Sequence, residues 1–248
     1  MVLLTRPLAQ SNNLQSLLED ASLEYVLFPA IEINKISARI PKQLYDVVIF
    51  VSVNAVIYAK EYLDSAIKDS TQIFAVGAVT AKCLSANGLR VDAYPEKEAS
   101  SENLLAMPEF SLTDKNILIV RGRGGSEVLR NELMKKNIVD YLEVYERSPC
   151  EVSPLHIESL ERFMDNSAGI VMVNSVESLR STYQLIKNIR QYHLEEIVKK
   201  PVVVLSNRIK EYARMLDFDN IQVAKSQSDE GVLSALLIVN NELLTKKL

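Results

Sequence analysis

The sequence predicts an α/β protein of two similar domains, each a parallel sheet flanked by helices. Three observations carry that prediction. Short apolar runs alternate with amphipathic stretches along the 248 residues. The runs are rich in β-branched residues and apolar at nearly every position, the pattern of strands covered on both faces. A strand–turn–helix–strand unit also recurs. Leu3-Leu4-Thr5-Arg6-Pro7 opens one copy, and Leu118-Ile119-Val120-Arg121-Gly122 opens the other. The same spacing separates Arg6 from Glu32 and Arg121 from Arg147. A second unit links Phe50-Val51-Ser52 to Ala75-Val76-Gly77, and again Met172-Val173-Asn174 to Val204-Leu205-Ser206. The chain order is A, B, A′, B′.

In order, residues 2–4 read as a buried strand, 8–21 as a helix and 25–28 as a strand. Residues 46–51 (DVVIFV) are a strand, with a helix over 53–63. Residues 73–76 (IFAV) are a strand, and a helix over 79–87 stops at Asn87-Gly88, because glycine takes the left-handed cap without strain. Strands are expected at 89–93, at 116–120 (NILIV) and at 138–145, with a helix over 126–136. The second half continues with strands at 169–173, 201–205 and 221–223 and helices over 178–189, 210–216 and 230–244. Polar joins near 34–41 and 147–154 mark the domain boundaries. One domain is then residues 1–35 plus 150–248, and the inserted one is 38–142, with linkers at 36–37 and 143–149. Two crossings leave an inter-domain cleft as the expected active site and permit hinge motion.

Composition narrows the chemistry. Two His, two Cys and no Trp exclude a zinc-rich module, an iron–sulfur protein and a disulfide scaffold. Cys83 and Cys150 form no CxxC pair and read as reduced thiols of a cytoplasmic chain. The net charge of −4 argues against nucleic acid as a partner, while leaving room for a local basic cleft. No apolar run approaches the length of a membrane span, and the start lacks a signal-peptide pattern. His156 and His193 lie in polar helical surroundings and read as surface residues. No metal cluster, Ser–His–Asp set or carboxylate pair stands out.

In an open parallel sheet, ligands bind beyond the carboxyl ends of the strands. The residues there are Thr5-Arg6, Ser52-Val53-Asn54, Gly77-Ala78-Val79-Thr80, Arg121-Gly122-Arg123-Gly124-Gly125, Asn174-Ser175 and Ser206-Asn207-Arg208. Each precedes a helix, whose free N–H groups favour an anion. Plain N-capping by Ser, Thr or Asn explains any one of them, but less easily six in register. The Arg-Gly stretch combines close backbone approach with forked donors for carboxylate or phosphate; a tight turn with solvated arginines is an equally good explanation. It is neither a P-loop nor a GxGxxG fingerprint. Tyr145 lies in the second crossing, and its phenol can donate a proton at neutral pH.

Together these segments resemble the uroporphyrinogen-III synthase family over nearly the whole chain. The likeness also rests on Phe28-Pro29-Ala30-Ile31-Glu32, Ser101-Glu102-Asn103-Leu104-Leu105 and Val144-Tyr145-Glu146-Arg147. The C-terminal half departs from the commoner pattern. Ser206 and Ile209 stand where many members have Gly and Thr, as in the branch with a Ser-x-Arg-hydrophobic turn.

The resemblance implies two α/β domains joined by a two-stranded linker. It implies a lyase that cyclises hydroxymethylbilane to uroporphyrinogen III, inverting ring D and losing water, without a cofactor or metal. Tyr145 is then the expected acid. Arg6, Ser52, Asn54, Gly77, Thr80, Arg121, Gly122, Arg123, Asn174, Ser175 and Ser206 are expected to hold substrate. The expected partner is that small molecule, bound by a monomer, with room for transient contact with the preceding pathway enzyme. The competing expectation is a non-catalytic hinged two-domain module that binds a small polycarboxylate or other anion.

Overall fold

The structure is a computed structural model that describes residues 1–41 and 44–245, backbone only at 64 and 65. Residues 42–43 and 246–248 of the expected domain ranges lie outside the described residues. The first half contains β1 (Val2–Leu4), α1 (Asn12–Asp20), β2 (Tyr25–Leu27), β3 (Ile31–Lys35), β4 (Val47–Phe50), α2 (Val53–Ala59) and α3 (Leu63–Ala66). It continues with β5 (Gln72–Ala75), α4 (Ala78–Ala86), α5 (Ser101–Leu105), β6 (Asn116–Gly122), α6 (Val128–Leu133) and β7 (Ile138–Pro149). The second half contains α7 (Pro154–Met164), β8 (Ile170–Val173), α8 (Val176–Ile189), α9 (His193–Ile197), β9 (Val202–Val204), α10 (Asn207–Arg214), β10 (Ile221–Val223) and α11 (Asp229–Thr245).

The chain divides into two compact units, Met1–Glu32 with Ser148–Leu248, and Ile33–Arg147. The first unit holds a five-stranded sheet in the order β10-β9-β8-β1-β2, with every neighbouring pair parallel. The second sheet runs β3-β7-β6-β4-β5. Its β4–β5, β4–β6 and β6–β7 pairs are parallel. The chain leaves the first unit within β3 and returns within β7, so residues 143–149 are the second half of a strand.

The internal repeat is visible in these orders. β1 and β2 correspond to β6 and β7, and β8 and β9 to β4 and β5. β10 then has its counterpart beyond β5, where residues 89–93 were expected as a strand. Only an isolated bridge, Phe74 to Ala93, forms there. The cause is Asp92, whose carboxylate accepts from Ile73 N–H at 2.7 Å in place of a backbone carbonyl and also binds Arg90 at 2.6 Å. A short polar side chain competing for backbone groups ends the ladder.

Strand alternation splits each core in two. In the first unit Leu3, Val171, Val173, Val202 and Val204 face a layer built on α7, α8, α9 and α10. Val2, Leu4, Ile170, Met172 and Val203 face α1 and α11. In the second unit Val48, Phe50, Leu118 and Val120 meet α2, α3 and α4, whereas Val47, Ile49, Ile117 and Ile119 meet α5 and α6. Burial of each such side chain is worth roughly 1.5–3 kcal/mol, which favours strands that are apolar on both faces.

Three differences from the sequence reading have local causes. The expected helix 8–21 begins as a 3₁₀ turn, Leu8–Gln10, before α1. The helix expected over 53–63 breaks into α2, a 3₁₀ turn at Lys60–Tyr62, and α3. The join near 147–154 leads directly into α7, which sequence reasoning missed although Ser153 precedes Pro154 at its first position.

His156 and His193 are buried, with relative exposures of 3% and 8%, which corrects the surface assignment. The Nε2–H of His156 donates to the Pro29 carbonyl at 2.8 Å. Its Nδ1 accepts from Ser153 N–H at 3.2 Å and lies 2.7 Å from the Ser153 hydroxyl, closing a capping box on α7. The ring also meets Phe28 edge-on at 5.0 Å. His193 packs against the first-unit core from α9.

Candidate functional site

In the second unit the carboxyl ends of β4, β6 and β7 converge on Tyr145. Arg121 pairs with Glu143, but Gly122 pairs with Tyr145, so Val144 is an extra residue in β7. This bulge turns Tyr145 to the face of Leu142 and Val144, into the α2–α4 core. Unbroken alternation would have set it with Tyr141 on the other face. Its hydroxyl lies 3.0 Å from Ser52 Oγ. Ser52 is the N-cap of α2 and accepts from Ala55 N–H at 3.1 Å. The pair leaves either hydroxyl free to donate.

Gly122 is needed beneath the phenol: a Cβ there would sit 2.5 Å from the Tyr145 ring. Arg123 N–H donates to the Tyr145 carbonyl at 2.7 Å, while its side chain points outward and pairs with Glu146 at 2.6 Å. Tyr58 stands 6.0 Å from the Tyr145 ring, tilted by 36°. The structure therefore joins Ser52, Gly122, Arg123 and Tyr145. Asn54 lies half-buried in the first turn of α2.

Gly77 opens α4, and no side chain among the described residues caps this helix, so its first-turn N–H groups are left for an anion. A Cβ at Gly77 would meet Ala99 Cβ at 2.3 Å, which fixes a glycine there. Thr80 is buried in α4, and Val79 is one of the most exposed apolar residues, at 74%.

Arg121 is turned inward, away from solvent. It is 4% exposed and curled into its own loop. It donates to the carbonyls of Gly122 at 3.1 Å, Ser126 at 3.3 Å and Gly124, and to Glu127 at 3.0 Å. Its guanidinium stacks 4.4 Å from the Tyr141 ring centroid. The Tyr141 hydroxyl donates to Glu127 at 2.8 Å. That bond, followed by Arg121, holds the Glu127 carboxyl below its ordinary range. Burial, then Glu127, pushes the Tyr141 phenol up. Arg121 thus organises the turn. Sequence reasoning missed Tyr141 and Glu127, and only their positions flanking the Arg-Gly stretch could have hinted at them.

In the first unit, Thr5 and Arg6 follow β1, Asn174 and Ser175 follow β8, and Ser206 follows β9. Thr5 is fully buried, donates to the Met172 carbonyl at 2.8 Å and shares a bond with Ser178 at 3.0 Å. Ser175 caps α8 through Ser178 N–H at 3.0 Å, and Ser206 caps α10 through Ile209 N–H at 3.4 Å. Ile209 is buried in the core. Arg6 is 8% exposed and pairs with Asp229, the first residue of α11, which sequence reasoning did not single out. Asn13 binds the other Asp229 oxygen at 2.8 Å. Arg6 Nε and Asn174 Oδ1 are buried without a hydrogen-bond partner among the described residues.

Among the described residues, no group of three or more His, Cys, Asp or Glu could hold a metal, and no helix is long and apolar enough to cross a membrane. The fold and strand-end turns define a two-unit parallel α/β protein with polar, anion-favouring sites beyond its strands. The family model described as uroporphyrinogen-III synthase HemD matches residues 12–234, and the chain belongs to the uroporphyrinogen-III synthase family. The uroporphyrinogen-III synthase of Escherichia coli (strain K12) is 28% identical over 248 residues, covering 95% of this chain and 99% of that one. That of Salmonella typhimurium is 29% identical over 197 residues, covering 77% and 78%. The crystal structure of uroporphyrinogen-III synthetase from Helicobacter pylori shares the fold at 16% identity, with a TM-score of 0.64 and coverage of 96% and 98%. A mutant uroporphyrinogen III synthase from Thermus thermophilus gives a TM-score of 0.56 at 16% identity, covering 99% and 98%.

Proposed function

We propose that the chain is a lyase that closes hydroxymethylbilane to uroporphyrinogen III, inverting ring D and releasing water. Family membership over residues 12–234 is the observation that carries this reading. It disfavours the non-catalytic binding module.

The chemistry asks little of the protein beyond positioning and one proton. The substrate loses its hydroxyl readily and closes unaided to the uninverted isomer. The enzyme must hold the chain so that the end ring is attacked at its substituted carbon. Tyr145 is the proposed acid. Its proton leaves with the hydroxyl as water, and the Ser52 hydroxyl, 3.0 Å away, stabilises the phenolate by donating to it. A proton released on ring closure restores the phenol.

The acetate and propionate groups of the substrate need donors. Arg6, the outward Arg123 and the uncapped first turn of α4 beyond Gly77 can supply them. Each charge-assisted bond contributes roughly 1.5–3 kcal/mol. Asn54 and Thr80 stand at strand ends of the second unit and Asn174, Ser175 and Ser206 at those of the first, each a further candidate contact, and Arg121 and Gly122 act by placing the turn and the phenol.

Incubation with freshly generated hydroxymethylbilane tests the reading: the product, oxidised and separated by isomer, is uroporphyrin III. Formation of the uninverted isomer alone refutes it. Tyr145→Phe keeps the fold and lowers turnover about 100-fold, the lower end of what one positioned acid contributes. Unchanged turnover removes Tyr145 from the mechanism.

A further inference from the structure

Arg6 is a buried cation whose charge is balanced from far along the chain. Its partner Asp229 lies 223 residues away, at the first position of a 17-residue helix. The two members of the pair are unequally placed. The Arg6 side chain is 9% exposed and that of Asp229 18%. Arg6 Nε, moreover, has no partner among the described residues. A carboxylate meets a guanidinium best with both oxygens at once. Asp229 gives one oxygen to Arg6 and the other to Asn13, so it does not grip Arg6 with both.

The neighbouring strand end carries the complementary orphan. Arg6 and Asn174 each lie two residues beyond the paired residues Leu4 and Met172. Asn174 Oδ1 is a buried acceptor without a partner among the described residues. Adjacent strand ends thus offer an unused donor and an unused acceptor. A carboxylate satisfies the first and an N–H the second, and a pyrrole bearing an acid side chain has both.

We infer that Asp229 is an internal competitor for the substrate: it balances Arg6 until a substrate carboxylate takes that place, with Nε as the added donor. This rests on the proposed reaction for the identity of the substrate. Exchange of one carboxylate for another keeps the buried guanidinium neutralised throughout, so no uncompensated charge is left inside. Asp229, the more exposed partner, is the one able to turn to water. At the first position of α11 its charge remains favourable toward the helix. Asp229 is thereby a specificity-determining residue, because only an anion can displace it.

The test uses the full chain and uroporphyrin I, an octacarboxylate followed by its fluorescence. Asp229→Asn removes the competing charge and is expected to tighten binding about tenfold, while lowering the melting temperature of the free protein. Adding Arg6→Gln abolishes that gain. A merely structural pair would lower the melting temperature and leave the affinity unchanged; unchanged or weaker binding, or no binding by any form, overturns the inference. If Asp229→Asn does not fold, Asp229→Ser, which also favours a helix start, takes its place. Isomer analysis separates the two readings. Tighter octacarboxylate binding in a protein that makes no uroporphyrinogen III sinks the reaction and spares the competitor. Authentic activity with unaltered binding does the reverse.

Discussion

Arg6 and Arg121 occupy the same place in the internal repeat, at the ends of β1 and β6, and are used in opposite ways. Both are buried, at 8% and 4% exposure. Arg121 is surrounded by its own loop, with carbonyls from Gly122, Gly124 and Ser126 and the carboxylate of Glu127. Arg6 leans on a carboxylate from α11, and its Nε–H has no partner among the described residues. The next residues explain the contrast. Gly124 and Gly125 adopt φ of +72° and +97°, which lets the chain fold back and aim carbonyls at the guanidinium. Pro7, with its restricted φ, follows Arg6 and directs the chain onward. A strand-end arginine is therefore a local clamp where glycines follow and an available binding group where they do not.

The sharpest test of this contrast is to remove each arginine. Arg121→Met should cost about 2–4 kcal/mol in urea unfolding, because buried carbonyls and a stacked ring lose a charged donor. Its Michaelis constant should change little. Arg6→Met should do the reverse, raising the Michaelis constant about tenfold or more with a smaller loss of stability. If both variants lose affinity alike, the two arginines are equivalent and the contrast fails.

Gly122→Ala probes the same loop from the side of the phenol. The new methyl would lie 2.5 Å from the Tyr145 ring, so the ring must move away from Ser52. A stability loss of about 1–3 kcal/mol is expected, together with a fall in turnover as large as that of Tyr145→Phe. Full turnover would show that the Ser52 contact is dispensable. A smaller effect is expected in the first unit. His156→Ala should cost about 1–2 kcal/mol by breaking the capping box and the bond to Pro29. A surface histidine would change stability by less than about 0.5 kcal/mol.

These cases also mark what was legible in the sequence. Runs such as Asp46–Val51 and Asn116–Val120 showed themselves because a strand buried on both faces admits little else. The position of Ser52 as an N-cap followed from its place between a strand and an apolar helix. His156 escaped because its partners are the Pro29 carbonyl, from 127 residues away, and an unrecognised cap at Ser153. The Ser52–Tyr145 contact spans 93 residues and depends on a bulge at Val144, which no local period announces. The inward turn of Arg121 was hidden for a different reason: glycines that let a backbone approach a ligand let it approach its own arginine equally well.

The smallest expected effect concerns the charge that closes the Arg121 loop. Tyr141 and Arg121 keep Glu127 ionised below the ordinary glutamate range. Its contribution to stability is therefore full above about pH 5 and is lost as pH falls through its lowered folded value. Tyr141 acts at the other end of the scale. Burial and the neighbouring Glu127 raise its phenol, so its contribution is full below the ordinary tyrosine range and fades as pH rises through the raised value. Glu127→Gln retains an acceptor for the Tyr141 hydroxyl but removes the charge. Thermal melts of this variant should fall less steeply than those of the parent between about pH 5 and 3, and its alkaline loss, which begins near about pH 10 in both, should be smaller and end at a lower pH. Coincident pH profiles would mean that Glu127 is a spectator and that the three carbonyls alone hold Arg121. A flattened acid limb in Glu127→Gln would assign the acid sensitivity of this turn to the second unit's self-contained clamp.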